Sequence, residues 1–198
     1  LCTRIEKVEV NLETWGDFRK YLAPDALRKF NIIDLGLAGL FFNRTNFSGI
    51  IAAGPIGGMS QESDYKLDCR FNKLRIIEQI QNIATIKPKL NVVHGDAISF
   101  LSRKERFFVD EHCLVYLDPP YYKQGPKLYR YNYIHEQHKA LAEFISKKAY
   151  PWIVSYDPHP KIKELFFGQK MTKISVDYVI KESRKASELL ISNINLCN

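Results

Sequence analysis

Residues 115–122 read Val115-Tyr116-Leu117-Asp118-Pro119-Pro120-Tyr121-Tyr122. An apolar run suited to a buried strand ends directly in an acid, two prolines and an aromatic. In parallel sheets the ligand crevice lies beyond the carboxyl ends of the strands, so chemistry is expected at this boundary. Successive prolines fix φ and supply no amide donors, which leaves carbonyls as acceptors. A carboxylate and a proline carbonyl, each accepting one hydrogen of an adenine amine, would oppose delocalisation of its lone pair into the ring. The lone pair would then point at a methyl donor, and a tyrosine ring would stack on a base flipped from the duplex. The plainer reading is a strand followed by a proline-rich turn, with Asp118 as a solvated cap.

Outward from this motif, apolar runs at Leu90–Val93, Cys113–Leu117 and Trp152–Ser155 have the length and composition of buried strands. Helical spacing separates them at Ala97–Arg103, His135–Lys148 and Pro160–Phe167. Such alternation predicts a largely parallel sheet with helices on its faces. Two strand-like stretches, Ile174–Ile180 and Glu188–Ile194, flank the polar Lys181–Ala186 and predict an antiparallel hairpin at one edge. Upstream, Glu13–Phe30 has a helical pattern broken at Pro24. Ile32–Phe42 is almost wholly apolar and predicts a buried helix, with a strand at its start as the alternative. After a glycine-rich loop at Gly54-Pro55-Ile56-Gly57-Gly58, helical spacing returns over 71–84 through Leu74, Ile77, Ile80 and Ile83.

The chain has 198 residues, 45% of them hydrophobic, which is enough for one core and predicts a single domain. Lys and Arg exceed Asp and Glu by 29 to 22, giving +7 and favouring a polyanionic partner. Cys2, Cys69, Cys113 and Cys197 are dispersed, with no CxxC pair, and read as reduced thiols of a cytoplasmic protein with no metal. The five histidines form no cluster in the sequence, so neither a histidine base nor a metal site is expected. No apolar run approaches the roughly 18 residues that span a bilayer, so no membrane association is expected.

The segment at Asp118 matches the DPPY motif of amino-methyltransferases, and the chain resembles the Dam-type adenine-specific DNA methyltransferases. Phe42-Asn43-Arg44-Thr45-Asn46-Phe47-Ser48-Gly49 is similar to that family's NRxGFNG segment, departing at Asn46, where Gly is usual, and at Ser48, where Asn is usual. Asp68–Lys73, His94-Gly95-Asp96 and Arg184-Lys185 with Glu188–Asn193 also resemble family stretches, in the family's order. The resemblance implies transfer of a methyl group from S-adenosylmethionine to the exocyclic amine of adenine in double-stranded DNA, by base flipping. It implies a Rossmann-like methyltransferase sheet, a catalytic Asp118-Pro119-Pro120-Tyr121, and contact of Asp96 and Asp118 with the cofactor. A bacterial or phage-like setting and a partner restriction endonuclease accompany it. The alternatives are an RNA or protein amine methyltransferase, or a non-catalytic DNA-binding relative in a restriction-modification complex.

Plainer readings stand beside these roles. Asp96 can cap the helix that starts near Ala97, Arg44 can form a surface ion pair, and Phe71 fits the core. Between Tyr121 and Tyr133 lie five of the eleven tyrosines, interleaved with Lys123, Lys127 and Arg130. With Arg44 and Tyr122, these cations are expected to hold DNA; the alternative is a tyrosine-rich lid packed on the protein. Residues 50–70 occupy the interval expected to carry target recognition. No loop like FxGxG is evident for the methionine end of the cofactor. Ile32–Gly39 is the nearest candidate, but its apolar run continues into Phe41 and Phe42, so Gly36 and Gly39 are read as close-packing positions of a helix. The first strand and its loop are therefore expected upstream of Leu1.

Overall fold

The computed structural model describes residues 1–110, 113–123, 125, 132–180 and 182–196. The chain divides into two compact units, Leu1–Val92 and Val93–Asn198.

The first unit is helical: α1 (Cys2–Lys7), α2 (Leu12–Phe18), α3 (Ala26–Lys29), α4 (Ile32–Thr45) and α5 (Lys73–Thr85). The break expected at Pro24 falls between a 3-10 turn at Arg19–Leu22 and α3. Asn31 caps α4 by accepting the amides of Ile33 and Asp34, and Asp34 pairs with Arg4. The buried Leu37, Ala38, Phe41, Phe42 and Thr45 recur at helical spacing, so one stripe of α4 forms the core of this unit. Trp15 lies edge-on to Phe42, and Phe71 packs 5.6 Å from Phe41, as its core reading required. Full burial of rings such as Phe41 and Phe42 contributes roughly 1.5–3 kcal/mol each.

Two expectations for this unit need correction. Gly36 and Gly39 are helical, but a Cβ built at either would meet nothing within 4 Å, so neither serves close packing. On α5 the buried position is Ile76, with Ile77 and Ile80 packed beside it, while Leu74 and Ile83 are exposed. The helix exists as read, but its inward face runs through Ile76, Ile77 and Ile80 and leaves out Leu74 and Ile83.

The loop after α4 is held by side chains. Asn46 accepts from the Trp15 indole at 2.7 Å and donates to the carbonyls of Ile50 and Ile51. A glycine here would leave the buried indole N–H unpaired. Ser48 has φ +54°, a conformation that Asn tolerates better than most residues, which accounts for the usual Asn at that position. Gly49, at φ +73°, has no room for a Cβ beside Asn43. Farther on, the Gln61 amide donates to Ile56 and Gly58 and accepts from Leu67, shaping the turn at Gly57-Gly58.

The second unit contains α6 (Ala97–Arg103), α7 (Glu105–Asp110), β1 (Val115–Leu117), α8 (His135–Ile145), β2 (Trp152–Tyr156), α9 (Pro160–Leu165), β3 (Lys170–Ile180) and β4 (Glu182–Ser192). The sheet order is β1-β2-β4-β3. β1 and β2 are parallel, whereas β4 runs antiparallel to both β2 and β3. The expected mostly parallel sheet is therefore a mixed one among the described residues, with β4 of the hairpin inside and β3 at the edge. Leu90–Val93, expected as a strand, is irregular and exposed; Val92 is 94% accessible. Leu90, Val92 and Val93 suit a strand in composition, but without a hydrogen-bonded neighbour they form none.

Trp152, Val154 and Tyr156 of β2 and Ile191 of β4 are fully buried with Ile162, Phe166 and Ile145. Asn193 pins the entry to β2. It accepts from the Trp152 amide at 3.0 Å and donates to the carbonyls of Lys148 and Tyr150. This asparagine, from the stretch that resembled the closing family motif, thus serves the architecture of the sheet.

Candidate active site

β1 and β2 end side by side, with Leu117 in register with Val154. The next residues are therefore neighbours, and the buried Ser155 hydroxyl donates to Asp118 Oδ1 at 2.7 Å. Asp118 itself is exposed at the carboxyl end of its strand, as expected. Pro119 is buried, Pro120 is partly buried, and the chain turns so that the Gly125 amide donates to the Tyr121 carbonyl at 2.7 Å. A Cβ at Gly125 would lie 3.3 Å from Pro120 Cβ, so this turn closes tightly on the second proline.

A second carboxylate, Asp157, shapes the same turn. Its Oδ1 accepts the Tyr122 amide at 2.9 Å and its Oδ2 accepts the Lys123 amide at 3.0 Å. Sequence reasoning missed it. The signal was present, since Tyr156-Asp157-Pro158 repeats the apolar–Asp–Pro ending of Leu117-Asp118-Pro119. Glu188 at the site was quoted only within a strand motif; its Oε1 accepts from the Tyr121 hydroxyl at 2.7 Å.

Tyr122 is packed on the protein. Its ring stacks on His159 at 4.5 Å and lies 5.0 Å from His138, and its hydroxyl is 3.1 Å from His135 Nδ1. His135, His138 and His159 thus gather around one tyrosine, a convergence that the spacing of the histidines along the chain does not show. His138 is buried, with Nδ1 2.8 Å from the Tyr156 hydroxyl. Burial holds its imidazole below the ordinary value, and burial pushes the Tyr156 phenol well above its own. Among the described residues no group of three or more His, Cys, Asp or Glu is placed to hold a metal ion.

Asp96 is exposed and caps α6, accepting the Ser99 amide at 2.8 Å; that bond lowers its carboxyl from the ordinary range. Burial, and then the charge of Asp96, raise the Tyr133 phenol from its ordinary value. The side chain of Lys123 belongs to an exposed residue just beyond the Asp157 clamp. Arg44 is in the last turn of α4, in the first unit, and is partly buried. Lys127 and Arg130 lie outside the described residues. Cys2 and Cys69 are free thiols, Cys113 is partly buried, and Cys197 falls outside the described residues. No helix is long and apolar enough to cross a membrane among the described residues.

A mixed α/β sheet carrying Asp-Pro-Pro-Tyr at a strand's carboxyl end is compatible with a methyltransferase fold. Residues 13–180 match the model of the D12 class N6 adenine-specific DNA methyltransferases, a span that runs through both compact units. The chain belongs to that family, whose activity is methylation of adenine in DNA. No curated protein matches it.

Proposed function

We propose that the chain transfers a methyl group from S-adenosylmethionine to the exocyclic amine of a flipped adenine in double-stranded DNA. The observation that carries this reading is the exposed Asp118 carboxylate, fixed at one oxygen by Ser155 and followed by a turn with a buried first proline. Asp118 and a proline carbonyl accept the two amine hydrogens and orient the lone pair; the proton lost on transfer leaves to Asp118 or to solvent. The Tyr121 ring, held through its hydroxyl by Glu188, is the stacking surface for the base.

For the cofactor, the exposed Asp96 carboxylate suits the adenine amine of S-adenosylmethionine while one oxygen caps α6. Asp118 lies at the methyl end. When bound, that group supplies an electrophilic methyl. Gly36 and Gly39 are inside α4, so they provide no loop for its methionine end. Both compact units serve one catalytic domain, with residues 50–70 as the target-recognition segment. Arg44, Lys123, Lys127 and Arg130 contact the DNA. Tyr122, packed among histidines, contributes by fixing the turn that bears Lys123. The setting is a bacterial or phage-infected cytoplasm, with a restriction endonuclease as companion.

Incubating the full chain with tritium-labelled S-adenosylmethionine and duplex DNA, RNA or protein tests the reading. Label on N6 of adenine in DNA is the expected result. Label on RNA or protein alone would replace the substrate class, and DNA binding without label would make the chain a non-catalytic relative.

A further inference from the structure

The first unit holds a cavity of about 430 Å³, of whose lining only Arg44 has been given a role above. Arg44, Arg70 and Arg75 line it together with Asn72 and Gln79, and no carboxylate lines it among the described residues. Three guanidinium groups around one space repel each other unless an anion enters, because every pairwise term has the same sign. Arg70 is partly accounted for by the fold. One of its terminal nitrogens donates to the carbonyl of Asn46 at 2.7 Å and more weakly to that of Asn43. That bond anchors Arg70 beside the end of α4 and occupies only part of its five donors. Arg44 has no such account. Its Nε is buried without a hydrogen-bond partner among the described residues, an arrangement costly enough to call for an acceptor. Asn72, Arg75, Ile76 and Gln79 recur at helical spacing, so one flank of α5 lines the cavity, while the Arg75 amide is already taken by the Asn72 cap.

We infer that this cavity is a phosphate site and that it takes a backbone phosphate of the DNA substrate. The shape of the donor set favours phosphate. Planar guanidinium forks pair two nitrogens with two oxygens, and three of them around one space match a tetrahedral oxyanion. The volume falls within the roughly 300–1,000 Å³ of pockets that enclose small molecules, so a phosphate with its sugar fits. This inference rests on the proposed DNA substrate, and it assigns to Arg70 and Arg75 a contact that no sequence motif suggested for them.

The full chain tests it in two arms. In the first, inorganic phosphate is titrated at constant ionic strength while the arginine Nε–Hε resonances are followed by NMR. The Arg44 signal is expected to shift and saturate, and Arg75→Gln is expected to weaken that binding by about tenfold or more. An Arg44 signal that phosphate leaves unmoved overturns the site. In the second arm, a short duplex is added. Displacement of phosphate by DNA, and a fall of about 0.9 in the salt slope of DNA binding for Arg75→Gln, support the backbone assignment. Simultaneous binding of DNA and phosphate, or an unchanged slope, overturns it and leaves a site for a free phosphate compound. Methylation of DNA with a silent Arg44 would sink this site and spare the proposed activity. Phosphate and DNA competing at Arg44 without methyl transfer would do the reverse.

Discussion

β1 and β2 are parallel neighbours that leave the sheet through the same dipeptide, Asp118-Pro119 in one and Asp157-Pro158 in the other, yet their carboxylates do opposite things. Both oxygens of Asp157 are taken by backbone amides, those of Tyr122 and Lys123. Asp118 is exposed and accepts the Ser155 hydroxyl through Oδ1. A carboxylate saturated by amides is a building element and has little capacity left for a substrate. One anchored at a single oxygen is oriented and still able to accept. The role of an Asp-Pro strand end is thus decided by the donors that its neighbours bring, and β2 supplies both kinds. Ser155 aims the acid of β1, and Asp157 fixes the turn behind it.

The contrast breaks most severely at Asp118. Asp118→Ala is expected to reduce methyl transfer to DNA by roughly 100-fold or more, the usual scale for deleting one charge-stabilising group. Initial rates under saturating donor measure it, with circular dichroism to show that the fold is kept. Near-normal turnover would remove Asp118 from the chemistry.

Asp157→Ala comes next. It leaves two amides without their acceptor, so the turn carrying Tyr121 relaxes, and misplacement of reacting groups by about 1 Å can cost up to about 100-fold. A loss of about tenfold in kcat is expected, with faster hydrogen exchange at the Tyr122 and Lys123 amides. Asp157→Asn, which keeps one acceptor, should recover part of both. Unchanged exchange at these amides would show that the clamp is not what holds the turn.

Asp118 was legible in the sequence because a strand, an acid and two prolines are consecutive. Asp157 was legible in principle and overlooked, since its function depends on amides 34 and 35 residues earlier that only the parallel pairing brings near. The histidines illustrate the same limit, because spacing along the chain does not show that α8 and the end of β2 converge on Tyr122. Helix locations such as Ala97–Arg103 were readable from period and caps, whereas the facing of α5 was not, because Leu74 and Ile76 are both apolar and only packing chooses between them. Strand direction was the least readable feature. Alternation of helix and strand suggests parallel neighbours, but the long β3–β4 hairpin inserts β4 against β2.

A smaller effect is expected at Ser155. Ser155→Ala removes the hydrogen bond that orients Asp118 but leaves the carboxylate in place and exposed. A loss of about three- to tenfold in kcat with little change in KM for DNA should follow, below the full value of a hydrogen bond to a charged group because water can substitute. Equal changes in kcat and KM would mean that Ser155 serves binding rather than aim.

The smallest expected effect concerns the packing around the two strand ends, and it appears as a pH dependence of stability. His138 is buried between Tyr122 and Tyr156, and burial lowers its imidazole from the ordinary 6.5. Asp157 opposes that shift and His135 adds to it. A group that takes its proton less readily when folded favours unfolding once the unfolded chain can bind the proton. The stability it supports is therefore complete above about pH 6.5 and is lost as pH falls through that value toward the lower folded one. Trp152 is in this unit and Trp15 in the other, so a Trp15→Phe background lets fluorescence report the second unit alone. In that background, melting temperature should fall between pH 7.5 and 5.5. Replacing His138 by Phe should flatten that dependence while removing the bond to Tyr156. If the slope persists without His138, this imidazole does not set it, and the Tyr122 stack is indifferent to the charge of its buried neighbour.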